Sequence, residues 1–252
     1  MAASHKAAAK DVREVLYDAK EHTTLVESIL AESHLKPHNI FRHADVKGKW
    51  IVDIGCGDAA MSREAIRRGA KYALGIDGKR EMVKEAIECN QPFNIKVPKI
   101  ETRQAFIEDI HGERIFDIAI LSYMLNNARS YDQLSRQCEA TASFLKKGGI
   151  AIVYNSNPFD TLGGDFTKYG FRKTLTGTKE GDVIHYDYRP AITEDILNYY
   201  LTPTMHEQAF HDAGFSEFSW KPLELYPKAD RVFWNDYFDR QHLPVIGMVA
   251  KK

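Results

Sequence analysis

Residues 51–60 read Ile51-Val52-Asp53-Ile54-Gly55-Cys56-Gly57-Asp58-Ala59-Ala60. An apolar, β-branched run enters a turn with glycine at alternate positions, and a segment of helical periodicity follows. Asp58 is placed to cap the helix expected over residues 59–68. A strand, a glycine turn and a helix N-terminus in this order make a ligand-binding unit, because unpaired N–H groups point out of the turn. What the turn holds is the question on which both fold and function depend.

Outward from the turn the same rhythm recurs. Residues 11–33 place Val12, Val15, Leu16, Ala19, Leu25, Val26, Ile29 and Leu30 mostly three or four apart, an amphipathic helix interrupted at Pro37. Strands are expected at 49–54, 71–77, 100–105, 116–122 and 150–154. Helices are expected at 79–89 and 131–145, the second stopped by Gly148-Gly149. Four helices with five strands argue for right-handed βαβ units and a parallel sheet.

Residues 156–201 break the rhythm. They are rich in Gly, Thr and Tyr, with hairpin-like pieces near 171–175 and 182–188. A helix starts at Thr202-Pro203, with proline at its first position, and stops at Gly214. Two last strands follow near 215–221 and 244–250. The expectation is one α/β domain over 1–252, a Rossmann-like, doubly wound, seven-stranded sheet. Its parts are an N-terminal helical lid (11–44), a cofactor-binding half (45–155), a β-hairpin insertion on the substrate side after strand five (156–201), and a C-terminal helix with the final strands (202–252).

The 252 residues are 44% hydrophobic, enough for a core, and the net charge of -1 gives no basic stripe for nucleic acid. The ten histidines show no metal-ligand spacing, so no metal is expected. Three cysteines, Cys56, Cys89 and Cys138, lie far apart and suit free thiols in a reducing compartment. No apolar run is long enough to span a membrane. The expectation is a cytoplasmic monomer or homodimer with a small-molecule partner, no nucleic acid and no membrane.

Spacing alone leaves the ligand open. Gly55, Gly57 and Ala60 satisfy a dinucleotide pattern, and Asp77 stands where a ribose-binding acid belongs. Charge discriminates. Asp53 and Asp58 flank the turn, and two carboxylates roughly 4–8 Å from a pyrophosphate would cost on the order of 1–4 kcal/mol. S-adenosylmethionine presents an ammonium and a sulfonium instead, with a ribose diol for Asp77. Glu108-Asp109-Ile110 follows the third strand, where an acid accepts from an adenine amino group and Ile110 offers an apolar face.

With "VDIGCGDA", "LGID", "IED", "FDIAILSYMLNNA" and "LKKGGIAIV" in this order, residues 45–155 resemble a class I S-adenosylmethionine-dependent methyltransferase. A looser likeness, on "SYMLNNARS", "YNSNP" and "HEQAFHDAGF", is to the toxoflavin-synthase-like small-molecule N-methyltransferases. The resemblance implies that Asp53, Gly55, Gly57, Asp77, Glu108, Asp109, Ile110 and Ser122 contact the cofactor. It implies that Cys56, Gly78 and Met82 line the same groove, and that Tyr123 and Asn126 stand where cofactor meets acceptor. Tyr17-Asp18 matches a Tyr-Asp pair near the family's N-terminus, which adds Tyr17 to the cofactor residues. The second aromatic expected after that pair is absent, since residues 22–25 read His-Thr-Thr-Leu.

On the acceptor side, Asn126, Asn127, Asn155 and Asn157 offer uncharged donors and acceptors suited to a heteroaromatic or carbonyl-bearing substrate. Tyr169, Phe171, Tyr186, Tyr188, Tyr199 and Tyr200 either line an aromatic slot or pack the hairpins. His185 and His206 are the candidate bases, with none assigned; His185 and Tyr200 join the substrate set. The expected reaction is methyl transfer to nitrogen or oxygen by in-line displacement, yielding S-adenosylhomocysteine. The alternatives are an NAD(P)-dependent oxidoreductase and a catalytically inactive methyltransferase-like scaffold.

Overall fold

The computed structural model describes residues 38–93, 99–188, 196–241 and 243–252. The N-terminal helix and Tyr17 lie outside the described residues. Seven strands form the main sheet: β1 (Trp50–Ile54), β2 (Tyr72–Asp77), β3 (Ile100–Gln104), β4 (Phe116–Ser122), β5 (Leu145–Ser156), β10 (Glu217–Lys221) and β11 (Val245–Lys251). Their order is β10-β11-β5-β4-β1-β2-β3. The first five pair in parallel, and β11 enters antiparallel between β5 and β10. The central strands are almost wholly buried, which is why "WIVDI", "YALGID" and "FDIAILS" read as apolar runs rather than alternations.

Alternate residues of these strands feed two layers. Val52, Ile54, Leu121 and Val153 face one cluster with Leu134, Cys138 and Phe210, contributed by α3 (Tyr131–Phe144) and α4 (Pro203–Asp212). Ile51, Ile120, Ile152 and Tyr154 face the other, which takes Ala65 from α1 (Ala60–Arg67). α2 (Arg80–Asn90) completes the β2–β3 crossover. Among the described residues the α-helices between the first five strands are therefore three, not four. Only a single 3-10 turn, Ile107–Asp109, lies between β3 and β4.

Thr202, at the expected helix start, accepts from Met205 N–H, and Ser130 caps α3 by accepting from Gln133 N–H. At α1 the N-cap position is Ala59, left-handed at φ 65°, and Asp58 Oδ1 accepts from Ala60 N–H (3.1 Å). β5 starts at Leu145, ahead of the glycines expected to precede it. Its register against β4 shifts between Phe116 and Ile118, which absorbs the extra residues.

The insertion is larger than a hairpin. β6 (Gly164–Phe166), β7 (Phe171–Leu175), β8 (Val183–Asp187) and β9 (Ile196–Tyr199) make an antiparallel sheet in that order. The expected β7–β8 pair is its centre. Phe171, Ile184 and Tyr186 of this sheet share a core with Tyr154 of the main sheet. α5 (Arg231–Phe238), absent from the sequence reading, adds Trp234 and Tyr237 to it. Its N-cap Asp230 accepts from Val232 and Phe233 N–H. No helix among the described residues is long and apolar enough to cross a membrane.

Candidate active site

The carboxyl ends of β1, β2 and β4 lie side by side and form the candidate cleft. Gly55, Gly57, Asp77, Gly78, Ser122 and Tyr123 are partly exposed, while Asp53, Ile54, Ile76 and Leu121 beneath them are buried. The chain turns at Gly55, where φ is 68°, and both Gly55 and Cys56 donate their N–H to Ile76 O (2.8 and 3.0 Å). A Cβ on Gly55 would stand 2.8 Å from Met124 Cγ. The turn is thus held between the end of β2 and the loop after β4. On the other side, a Cβ on Gly78 would run into the Phe106 ring at 2.3 Å, so glycine permits that close packing.

Asp77 closes the turn. Its Oδ2 accepts from Gly57 N–H (2.9 Å) and its Oδ1 from Lys79 N–H (2.8 Å). Burial pushes the Asp77 carboxyl up from its ordinary value, against the pull of those two N–H bonds and the Lys79 charge. Asp53 is buried, and its Oδ2 accepts from both Ser62 N–H (3.0 Å) and Ser62 Oγ–H (2.8 Å). It ties the strand end to the first turn of α1, a partner with no mark in the sequence. Asp58 pairs with Arg63 (2.7 Å). Repulsion of a pyrophosphate therefore rests on Asp53, not on two free carboxylates as expected. The Cys56 thiol packs where a Gly75 Cβ would sit, 2.9 Å away. Burial first, then Asp53 and Asp77, push its pKa well up. It is a small filler of the turn.

Along β3 and α2, Met82 is buried and Ile110 packs on the core. Glu108 Oε1 accepts from Gln133 Nε2 (3.1 Å) and Gln137 Nε2 (2.9 Å). Those glutamines stand one turn apart on α3, a spacing legible in the sequence but not used. Glu108 thus faces α3, and the exposed carboxylate of the pair is Asp109.

At the end of β4, Ser122 Oγ is buried without a hydrogen-bond partner. Tyr123 follows in the left-handed region at φ 58°, an uncommon state for a bulky residue. Its N–H donates to Tyr154 O (2.7 Å), and its ring meets Tyr154 edge-on at 5.1 Å. The strain is held at the mouth of the cleft.

The four asparagines divide. Asn127 Nδ2 donates to Met124 O, and Asn157 is occupied at both ends, donating to Leu243 O and accepting from Phe159 N–H. Asn126 Oδ1 accepts from Ser156 N–H (3.0 Å), while its Nδ2 is buried and unpartnered, as is Asn155 Oδ1. The aromatic residues mostly pack on one another: Tyr169 stacks on Trp234 (4.9 Å, 13°) and Tyr186 on Tyr188 (5.9 Å, 12°). Tyr200 donates to Pro158 O (3.2 Å), and burial raises its pKa.

The two histidines are not brought together. His185 pairs across the sheet with Thr174 and Leu197, on the face opposite the buried Ile184 and Tyr186. His206 is buried on α4, its Nδ1 3.0 Å from Thr202 O and its ring against Trp220. Burial lowers its pKa, partly offset by that bond. Trp220 pairs with Met248, so His206 stands over β10 and β11, away from the cleft.

The cleft suits S-adenosylmethionine: a backbone turn approachable at Gly55 and Gly57, one carboxylate at Asp77, and an unpartnered hydroxyl at Ser122. Strand order with an antiparallel strand beside β5 is that of the class I methyltransferases. Residues 51–149 match the family described as a methyltransferase domain. Among curated relatives, the chain is 29% identical over 120 residues to the ubiquinone biosynthesis O-methyltransferase of Neisseria meningitidis serogroup C, covering 46% of this chain and 48% of that one. It spans about half the length of the relative it matches. In structure it resembles an S-adenosylmethionine-dependent methyltransferase from Mesorhizobium loti, with TM-score 0.60, 18% identity, and 88% and 98% of the two chains covered. It also resembles the 1,6-didemethyltoxoflavin-N1-methyltransferase of Burkholderia thailandensis, solved with S-adenosylhomocysteine (TM-score 0.57, 13% identity, 92% and 89% covered). The fold is that of the class I S-adenosylmethionine-dependent methyltransferases.

Proposed function

We propose that the protein transfers a methyl group from S-adenosylmethionine to a nitrogen or oxygen of a small heteroaromatic or carbonyl-bearing molecule. The observation that carries this reading is the glycine turn closed by Asp77, with Ser122 and Tyr123 at the neighbouring strand end. Asp77 is assigned to the ribose hydroxyls, Gly55 and Gly57 to close backbone approach, and Asp109 with Ile110 to the adenine. Asp53 acts through Ser62 to fix the turn. The bound cofactor supplies an electrophilic methyl group whose transfer leaves the carbon–sulfur electron pair on sulfur.

The chain's own contribution is placement. The tight β4 turn at Tyr123 and the insertion sheet hold the acceptor over the cleft and exclude water, an effect that supplies roughly 7–11 kcal/mol in well-oriented reactions. A neutral nitrogen or a carboxylate needs no strong base. With His206 away from the cleft and no base assigned, nucleophiles of that kind are favoured over an alcohol. Titration calorimetry with S-adenosylhomocysteine, with NADH in parallel, tests the reading. Micromolar binding of the thioether and none of NADH is expected; binding of NADH alone sinks it. Incubation with S-adenosylmethionine and an acceptor panel then reads the mass gain of one methyl group.

A further inference from the structure

Two buried amide atoms at the ends of β4 and β5 have no partner, and they are chemically complementary. Asn126 and Asn155 are 3% and 2% exposed. Asn126 Nδ2, a donor, and Asn155 Oδ1, an acceptor, make no hydrogen bond within the protein. The orientation of the Asn126 amide is fixed, because its Oδ1 takes the N–H of Ser156 at 3.0 Å. That N–H belongs to the peptide joining Asn155 to Ser156, so the Asn126 amide lies beside the root of the Asn155 side chain. Ser156 is itself held from the insertion, its Oγ sharing a 2.6 Å hydrogen bond with Tyr186 Oη. The neighbouring Asn127 and Asn157 use their amides to brace turns. Buried polar groups are rarely left unmatched, and a site with both an orphan donor and an orphan acceptor calls for a molecule that supplies the two counterparts.

We propose that Asn126 Nδ2 and Asn155 Oδ1 read the methyl acceptor, and that the acceptor presents a carbonyl or ring nitrogen beside an N–H, the edge of a cyclic amide. This rests on the methyltransferase reading above. Both groups are neutral, so they select an uncharged edge and leave another atom of the ring to be placed toward the cleft. Tyr186 acts as a positioning residue, through Ser156.

The probes are 2-pyridone, which carries C=O beside N–H, and N-methyl-2-pyridone, which lacks the donor. Each is titrated by protein-observed NMR into the S-adenosylhomocysteine complex. At least fivefold tighter binding of 2-pyridone is expected. Asn126→Asp keeps the oxygen that Ser156 needs and replaces the free donor with an acceptor; it should abolish the preference. Tyr186→Phe should weaken 2-pyridone and leave S-adenosylhomocysteine affinity unchanged. Equal binding of the two probes, or of neither, by a complex that holds S-adenosylhomocysteine overturns the proposal and leaves the methyltransferase reading standing. Failure to bind S-adenosylhomocysteine removes that reading itself. Should Asn126→Asp fail to fold by circular dichroism, the wild-type comparison of the two probes still decides.

Discussion

Gly55 and Asp77 carry the densest constraints of any residues in the cleft. Gly55 combines a left-handed φ with the approach of Met124, so Gly55→Ala meets two penalties of the same sign. Strained backbone costs of order 1–3 kcal/mol, and overpacking typically a further 1–3. The variant is expected to lose roughly 2–6 kcal/mol in urea denaturation, together with S-adenosylhomocysteine binding; a midpoint within error of wild type would show that the turn is free to move. For Asp77, ionised carboxylate is the form that accepts from ribose hydroxyls. Burial raises its pKa from 3.8, so the proton returns at a higher pH than for an ordinary aspartate. Affinity for S-adenosylhomocysteine should therefore fall as pH is lowered toward that raised value. Unliganded stability moves the other way, because a raised folded-state pKa means that this group's contribution is present below 3.8 and lost as pH rises through the folded value. Calorimetry that shows constant affinity across the pH range in which the Asp77 carboxyl takes up its proton would remove Asp77 from the ribose contact.

Among the elements, the insertion sheet is pinned by one buried charge. Lys173 on β7 is fully buried, with its Nζ 3.0 Å from Asp160 Oδ2 and within 3.4 Å of the carbonyls of Asn157, Asp160 and Pro244. Desolvation lowers its pKa, and Asp160 opposes the shift. Lys173→Met leaves Asp160 buried and the carbonyls unmet, a situation that typically costs about 3–5 kcal/mol. Chemical denaturation checks it; a loss under 1 kcal/mol would mean that water reaches the pair. Nothing in "FRKTL" announces such a lysine, since alternation places it on the buried face where an apolar residue is the default. Here the sequence runs out of reach. Strands β1, β2 and β4 were legible as continuous apolar runs, and the β7–β8 pair because its alternation coincides with burial. The α5 helix was not: "RVFWNDYF" has aromatic residues that suit strand or helix, and its commitment comes from Asp230 and from packing on Tyr169. Likewise Asp53, Asp77 and Asn126 could be picked from strand ends, but Ser62, Ser156 and Met124 are partners set only by tertiary contact.

At the scale of the whole molecule, the two sheets share one core. Tyr154 and Ile152 of the main sheet lie in the same cluster as Phe171 and Tyr186 of the insertion and Trp234 and Tyr237 of α5. Hydrogen bonds cross the same boundary at Ser156–Tyr186 and Tyr200–Pro158. An insertion so joined has no separate core to retain when the main sheet opens, so heating should give one transition seen alike by far-ultraviolet circular dichroism and by tryptophan fluorescence. Trp50 reports on β1, where it packs against the cluster on the other face of the main sheet, and Trp234 on α5 within the shared core. A ligand that binds only the folded form stabilises it by about 2.7 kcal/mol at a hundredfold excess over its Kd. For a chain of this size that moves Tm by roughly 5–10 °C. S-adenosylhomocysteine is expected to shift both probes together by that amount, although its proposed site lies at the carboxyl ends of β1 and β2 and not on the insertion. Two separate transitions, with only the Trp50 signal moved by ligand, would show that the insertion folds independently, and would detach Tyr186 and Ser156 from the cleft they are proposed to shape.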